Sequence, residues 1–366
     1  MGFQSVRFYQ YRNLSDAEVR LDAPEIFLIG DNGQGKTNFI ESIYFLCFGS
    51  SFRTNKNQRL IRSGCGDTLV EGIYSDEGYL RKISIKLSSR QKREIRIDSK
   101  IVQDRKELIE KNPCIVFSHR DMEFVYGLPE RRRWFFNQTQ SLLDPLFIDL
   151  LRGYRKVLKN RNRVLKEKRF DLLEIYDQKL IELGWQIQQK RSDTVSEFNR
   201  TFVPVFGDIS GMDGELRIVY RPSWMGAETL EETLQQLNRV RESDKLQGTT
   251  TSGPHRDSIT FECGKEDFSH FASTGQIRLL SLILKGAQAI YYQKQSGKKP
   301  VLLLDDVLLE LDTQTKKAFL KCLPEYEQAI FTFLPEENYL GYSRRETIFY
   351  SVEGGNLTPW KEPVRF

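Results

Sequence analysis

Residues 25–48 read EIFLIGDNGQGKTNFIESIYFLCF. The opening EIFLI is an apolar run that stops at a glycine, the pattern of a buried strand. The closing part repeats Phe39, Ile40, Ile43, Tyr44 and Phe48 at helical spacing. Between them Gly30, Asp31, Asn32, Gly33, Gln34, Gly35, Lys36 and Thr37 match G-x-x-x-x-G-K-[ST], and strand, turn, helix is the context that this phosphate-binding loop requires. Its glycines let successive backbone N–H groups turn inward around phosphates. Lys36 can then reach the β and γ oxygens, and the Thr37 hydroxyl can ligate Mg²⁺. The competing reading, a glycine-rich turn with an incidental lysine, fits the flanks less well.

A phosphate loop alone does not separate kinases, GTPases, helicases and transport ATPases. A second motif lies far along the chain at Val301-Leu302-Leu303-Leu304-Asp305-Asp306. Four apolar residues predict a buried strand whose end presents two carboxylates, Asp305 to hold the metal and Asp306 to polarise the attacking water. So long a gap disfavours a compact GTPase, and Asn55-Lys56-Asn57-Gln58 imitates a guanine motif without its Asp. Ser273-Thr274-Gly275-Gln276 precedes a predicted helix, where a hydroxyl, free N–H groups and the dipole make an anion site or a plain N-cap. Its position about 30 residues before the carboxylate strand is the layout of an ABC-type ATPase, in which Ser273, Gly275 and Gln276 act as a signature on the nucleotide of the opposite subunit. Leu309-Glu310-Leu311-Asp312 fits the D-loop of such a dimer, and Asp312 fits a helix N-cap equally.

With 366 residues the chain has room for about two domains. Charged residues at 29% beside 39% hydrophobic ones exclude collagenous and wholly disordered classes. The net charge of +5 permits a polyanionic partner without demanding one. Five dispersed cysteines lack zinc spacing and read as reduced thiols. No apolar run approaches a membrane span, and Val6 spoils the Met-Gly start as a myristoylation site. A cytoplasmic protein without a membrane partner is expected.

Around the loop, the first quarter of the chain alternates in strand-like fashion, and within residues 69–103 LVEGIYS, YLRKISIKLS and REIRID predict an antiparallel layer. Helical patterns then take over. Leu151, Tyr154, Leu158 and Leu165 mark one face, and Leu172, Tyr176, Leu180, Leu183 and Ile187 another. We expect three parts: an N-terminal head lobe over 1–116, an inserted helical arm over 117–244, and a C-terminal head lobe over 245–366 with the signature, carboxylates and D-loop.

These residues resemble the RecF family, bacterial recombination-mediator ATPases related to the heads of SMC proteins. The resemblance spans nearly the whole chain. It rests on Phe52-Arg53-Thr54, Gly127-Leu128-Pro129 with Arg131 through Phe136, Tyr154-Arg155 through Arg161-Asn162, Gly253-Pro254-His255-Arg256-Asp257 and LLLDDVLLELD. The sequence departs from the family pattern at His119, Asn137, Ser258 and Leu309. No switch histidine follows AIFTF, where Thr332 stands, and the second carboxylate is Asp306 rather than Glu, which together predict slow turnover. The implied fold is α/β, a P-loop ABC-type, SMC-head-like ATPase head assembled from both chain ends with an inserted, mainly helical arm.

The resemblance implies ATP and Mg²⁺, an ATP-dependent homodimer, and binding to double-stranded and single-stranded DNA at gaps and junctions. It further implies work with RecO and RecR to load RecA in DNA repair, replication, recombination and the SOS response. Independently of it, residues 131–169 hold twelve Lys or Arg against three Asp or Glu. Arg152, Arg155, Lys156, Lys159, Arg161, Arg163 and Lys166 surround one apolar stripe. Of these we take Arg152, Arg155, Lys156, Lys159 and Arg163 as DNA-phosphate contacts, against a merely solvated face. Trp134, Phe135 and Phe136 read as core packing rather than base-stacking. His119, His255 and His270 are too scattered for a metal or a triad. Two rivals remain: the ATPase subunit of a membrane transporter, and a scaffold that uses ATP only as a dimer clamp.

Overall fold

The computed structural model describes residues 2–76, 78–90, 93–212, 215–309, 311–343 and 346–360. Its contacts divide the chain into two compact units, Met1–Arg120 with Tyr292–Phe366, and Asp121–Tyr291.

The first unit holds two six-stranded sheets. One runs in the order Asn356–Pro359, Thr347–Glu353, Glu25–Ile29, Gln328–Phe333, Val301–Asp305, Cys114–Ser118. All neighbours are parallel except the edge strand Asn356–Pro359. The central strands are buried along their whole length, which is why they read as unbroken apolar runs rather than as alternation. Adjacent strands come from both ends of the chain, so neither end builds the sheet alone.

The other sheet is antiparallel, in the order Glu18–Arg20, Gly2–Tyr9, Asp67–Asp76, Tyr79–Ser88, Arg93–Ile97, Lys100–Ile101. The helix Lys36–Phe48 touches strands of both sheets. Every one of its residues except Thr37 and Asn38 is buried, as expected for a helix apolar on all sides.

In the second unit, helices Pro129–Leu143, Leu146–Lys166 and Leu173–Ser210 are followed by a three-stranded sheet and two short helices, Leu230–Arg239 and Arg241–Gln247. Phe147, Tyr154, Leu180, Ile181, Ile187, Trp224 and Leu237 form its core. Gly184 is obligatory there, because a Cβ would stand 2.7 Å from the Trp224 ring. Phe135 and Phe136 are buried as expected, whereas Trp134 is half exposed and stacks on Phe124.

Arg161, left out of the expected DNA contacts, does not face outward with its neighbours. It is fully buried, with Nε 2.6 Å from Asp177 and Nη1 2.7 Å from Asp244. Two expectations need correction. The inserted arm expected as helical over 117–244 contains a strand, Leu216–Arg221, which pairs antiparallel with Ser258–Cys263. That pairing gathers residues beyond 244 into the inserted unit, which extends to Tyr291. Among the described residues no helix is long and apolar enough to cross a membrane, no three or more His, Cys, Asp or Glu side chains gather as ligands for a metal ion, and all five cysteines are free.

Candidate nucleotide site and basic helix face

The glycine-rich loop joins the buried strand Glu25–Ile29 to the buried helix Lys36–Phe48, both rigid elements. Gly33 and Gly35 take φ of 82° and 122°, values that favour glycine. A Cβ on Gly30 would lie 2.3 Å from the Val352 carbonyl oxygen. The loop is braced from behind. Gly355 N–H donates to the Gln34 carbonyl at 2.8 Å, Gly354 N–H donates to Gln34 Oε1 at 2.7 Å, and Ser15 N–H donates to the Gly355 carbonyl at 2.9 Å. The Lys36 ammonium is buried and turned into the loop, donating to the carbonyls of Gly30 at 2.5 Å and Asp31 at 3.1 Å.

Thr37 Oγ1 donates to Asp305 Oδ1 at 2.8 Å, although 268 residues separate them. The sheet order produces this closeness, since one strand alone lies between Glu25–Ile29 and Val301–Asp305. Asp305 is buried, and burial pushes its carboxyl up to about 7, with the adjacent Asp306 charge adding to the effect. Thr37, Arg53 and Lys36 oppose the shift without cancelling it. An alcohol and a carboxylate short of positive charge are hard oxygen donors of the kind magnesium takes, so these residues fit Mg²⁺.

A cleft of about 330 Å³ opens in front of the loop, lined by Asp31, Asn32, Gly33, Gly35, Lys36, Thr37, Asn38, Arg53 and Asp306. Its volume suits a phosphate chain held by backbone N–H groups and a lysine. Arg53 and Asn38 were absent from the residues singled out for nucleotide contact. Arg53 Nη1 donates to Asn38 Oδ1 at 2.7 Å, its guanidinium is 3.7 Å from Glu41, and its carbonyl accepts from Arg120. The only trace of this in the sequence was the Phe52-Arg53-Thr54 motif itself. Asn13 was likewise missed: it accepts from Asn38 Nδ2 at 2.7 Å, and its Nδ2 lies 3.5 Å from the Gly33 carbonyl.

The signature residues belong to the second unit. Ser273 Oγ accepts from Gln276 N–H at 3.3 Å while Gln276 Oε1 accepts from Ser273 N–H at 2.8 Å, a reciprocal capping box at the start of helix Thr274–Ser296. Ser273 and Gly275 are exposed. Asp312 caps the helix Thr313–Cys322, with Oδ1 accepting from Gln314 N–H at 2.9 Å and Thr315 N–H at 3.0 Å. Glu310 of the expected D-loop lies outside the described residues.

Arg152, Arg155, Lys156, Lys159 and Arg163 are all exposed on helix Leu146–Lys166. Their spacing of three and four residues makes one stripe, opposite buried Tyr154, Arg161 and Leu165. Arg152 pairs with Asp149 at 3.3 Å and Arg163 with Glu167 at 2.7 Å. Arg155, Lys156 and Lys159 make no ion pair among the described residues.

The RecF/RecN/SMC N terminal domain family matches residues 3–351. DNA replication and repair protein RecF of Treponema pallidum (strain Nichols) is 40% identical over 347 residues, covering 94% of this chain and 97% of that protein. The protein of the same name from Leptospira interrogans (serovar copenhageni, strain Fiocruz L1-130) is 31% identical over 368 residues, covering 99% and 100%. A solved structure of the recombination mediator protein RecF with ATP, described as in the RecFOR pathway, superposes with TM-score 0.89 at 27% identity, covering 98% of this chain and 97% of that one. An Smc head domain from Pyrococcus furiosus, at 15% identity and TM-score 0.56 over 98% and 96%, shares the fold.

Proposed function

The chain belongs to the RecF family of DNA replication and repair proteins, and on that premise we propose that it is an ATP-operated DNA clamp with slow hydrolysis. The observation that carries the reading is the 2.8 Å contact of Thr37 with Asp305, which joins the two halves of a nucleotide site across 268 residues. The phosphate loop Gly30–Thr37 cradles ATP and Lys36 turns from the loop carbonyls to the β and γ phosphates. Thr37 and Asp305 would hold Mg²⁺, which would supply positive charge against the phosphates. Asp306, on the cleft wall, polarises the attacking water.

Ser273, Gly275 and Gln276, with Asp312 beside the interface, meet the nucleotide of a second copy, so that ATP ties two chains together. The exposed stripe from Arg152 to Arg163 neutralises DNA phosphates without reading bases, which suits gaps and junctions of varied sequence. In the cell, this reading puts the protein in the cytoplasm with RecO and RecR, helping RecA onto single strands. The transporter reading is withdrawn, since relatives matched over nearly their full length are named for DNA replication and repair. Hydrolysis itself separates our reading from the ATP-clamp scaffold: Asp306→Asn should abolish turnover while dimerisation persists, and unchanged ATP consumption would remove the catalytic role of Asp306.

The test is binding to gapped duplex DNA with ATP, ADP or no nucleotide, for wild type and Lys36→Ala, across a salt series with light scattering on the same samples. The expected result is an ATP-specific dimer whose DNA affinity falls steeply with salt and is lost in Lys36→Ala. Dimerisation without DNA binding withdraws the DNA role and leaves the nucleotide site.

A further inference from the structure

Asp306 stands at φ 51°, a left-handed conformation that a residue with a side chain keeps only where its surroundings hold it. Thr332 binds it at two points. The backbone N–H of Asp306 donates to Thr332 Oγ1 at 2.7 Å, and the same hydroxyl donates to Asp306 Oδ1 at 2.8 Å. A hydroxyl has one proton and spare lone pairs, so a single group fixes both the backbone and the carboxylate of its neighbour.

The fold explains why this residue can reach. Thr332 is buried at the C-terminal end of Gln328–Phe333, the strand that separates the phosphate-loop strand from the carboxylate strand. Thr332 pairs in register with Leu28 on one side, and Phe331 pairs with Leu304 on the other. Its β-branch restricts χ1, so the hydroxyl has little freedom to turn away. Asp306 meanwhile lines the cleft.

We propose that Thr332 is the positioning residue of the hydrolytic site, holding Asp306 in its left-handed conformation with one carboxylate oxygen fixed so that the carboxylate faces the cleft. The proposal rests on the reading of Asp306 as the group that polarises water. Thr332 therefore governs turnover and leaves nucleotide affinity alone, because no part of it lines the cleft.

Thr332→Val keeps the shape and removes the hydroxyl, and Thr332→Ser keeps the hydroxyl on a thinner side chain. The expected result is a kcat lowered about ten- to hundred-fold in Thr332→Val, with the dissociation constant for MgATP within about two-fold of wild type and most of kcat restored in Thr332→Ser. A readout independent of hydrolysis is amide exchange over residues 301–308 of the nucleotide-free full chain, which should quicken in the Val variant and not in the Ser variant. Wild-type kcat in Thr332→Val, equal damage in both variants, or unchanged exchange in the Val variant overturns the proposal. Asp306→Asn tells its failure from that of the underlying reading. If Asp306→Asn hydrolyses ATP like the wild type, or the wild type hydrolyses none, the assignment of Asp306 fails and the proposal falls with it. If Asp306→Asn is inactive while Thr332→Val is not, the proposal alone falls.

Discussion

His255 sits in the second unit with Nε2 3.0 Å from the Thr250 carbonyl and Nδ1 2.8 Å from the Tyr154 hydroxyl. A carbonyl only accepts, so Nε2 carries the proton and Nδ1 accepts from Tyr154, a neutral ring with both nitrogens engaged. Burial lowers its pKa from 6.5 to about 4, with the Arg256 and Arg133 charges adding and the Thr250 carbonyl and Asp257 opposing. Between those two values the unfolded chain binds more protons than the folded one, so stability is full above pH 6.5 and is lost as pH falls toward 4. The ceiling on this loss is about 3 kcal/mol. Thermal unfolding at pH 8 and pH 5 should therefore show a smaller acid loss in His255→Gln, which keeps a donor toward Thr250 and has no ionisation. An equal loss in both proteins removes His255 as the cause. The same scale shows what periodicity leaves out at Arg161: its helix position gives no sign of the Asp177 and Asp244 carboxylates that reach it from 16 and 83 residues away.

The turn between strands Thr347–Glu353 and Asn356–Pro359 acts on the phosphate loop as a prop. Gly355 has φ 85°, and a Cβ there would lie 1.9 Å from the Asn13 carbonyl oxygen, so Gly355→Ala must push the turn off Gln34. We expect ADP affinity to fall about ten-fold with the global unfolding transition retained, measured by calorimetric titration beside a melt. Unchanged affinity would mean that the loop keeps its shape unaided. Nothing in the sequence marked this contact, because the turn and the loop are 320 residues apart and the Gly-Gly pair reads as an ordinary hairpin. The basic stripe is the opposite case. Periodicity alone placed Arg152, Arg155, Lys156, Lys159 and Arg163 together, and the helix exposes all five. Replacing Arg155, Lys156 and Lys159 with Gln should weaken DNA binding evenly across sequences and reduce the slope of log affinity against log salt by about 0.9 per lost phosphate contact. A loss that differs between sequences would instead point to base contacts.

Across the whole molecule, what could be read ahead of the structure was local: a strand, a glycine loop and a helix in 25–48, an apolar run ending in two aspartates, and a small-residue helix start at Ser273. Strand order could not be read, because five parallel strands drawn from residues 25 to 353 carry no mark of which lies beside which. The 2.8 Å meeting of Thr37 with Asp305 is a product of that order. The signature raises a question of a different kind, since Lys36 and Ser273 belong to different compact units and our reading has them serve one nucleotide only through a second copy of the chain. Two-fold pairing then makes two sites, each built from Lys36 of one copy and Ser273 of the other. Lys36→Ala and Ser273→Ala should each abolish hydrolysis when measured alone. Mixed in equal amounts, half of the dimers combine the two variants, and each such dimer has one site with both defects and one with none. ATPase activity should therefore return to about a quarter of the wild-type value per chain, with a dependence on total concentration that follows dimerisation. A mixture that stays inactive while an affinity tag on one variant retains the other in mixed dimers means that both residues serve the same copy's nucleotide, and the clamp would have to be abandoned.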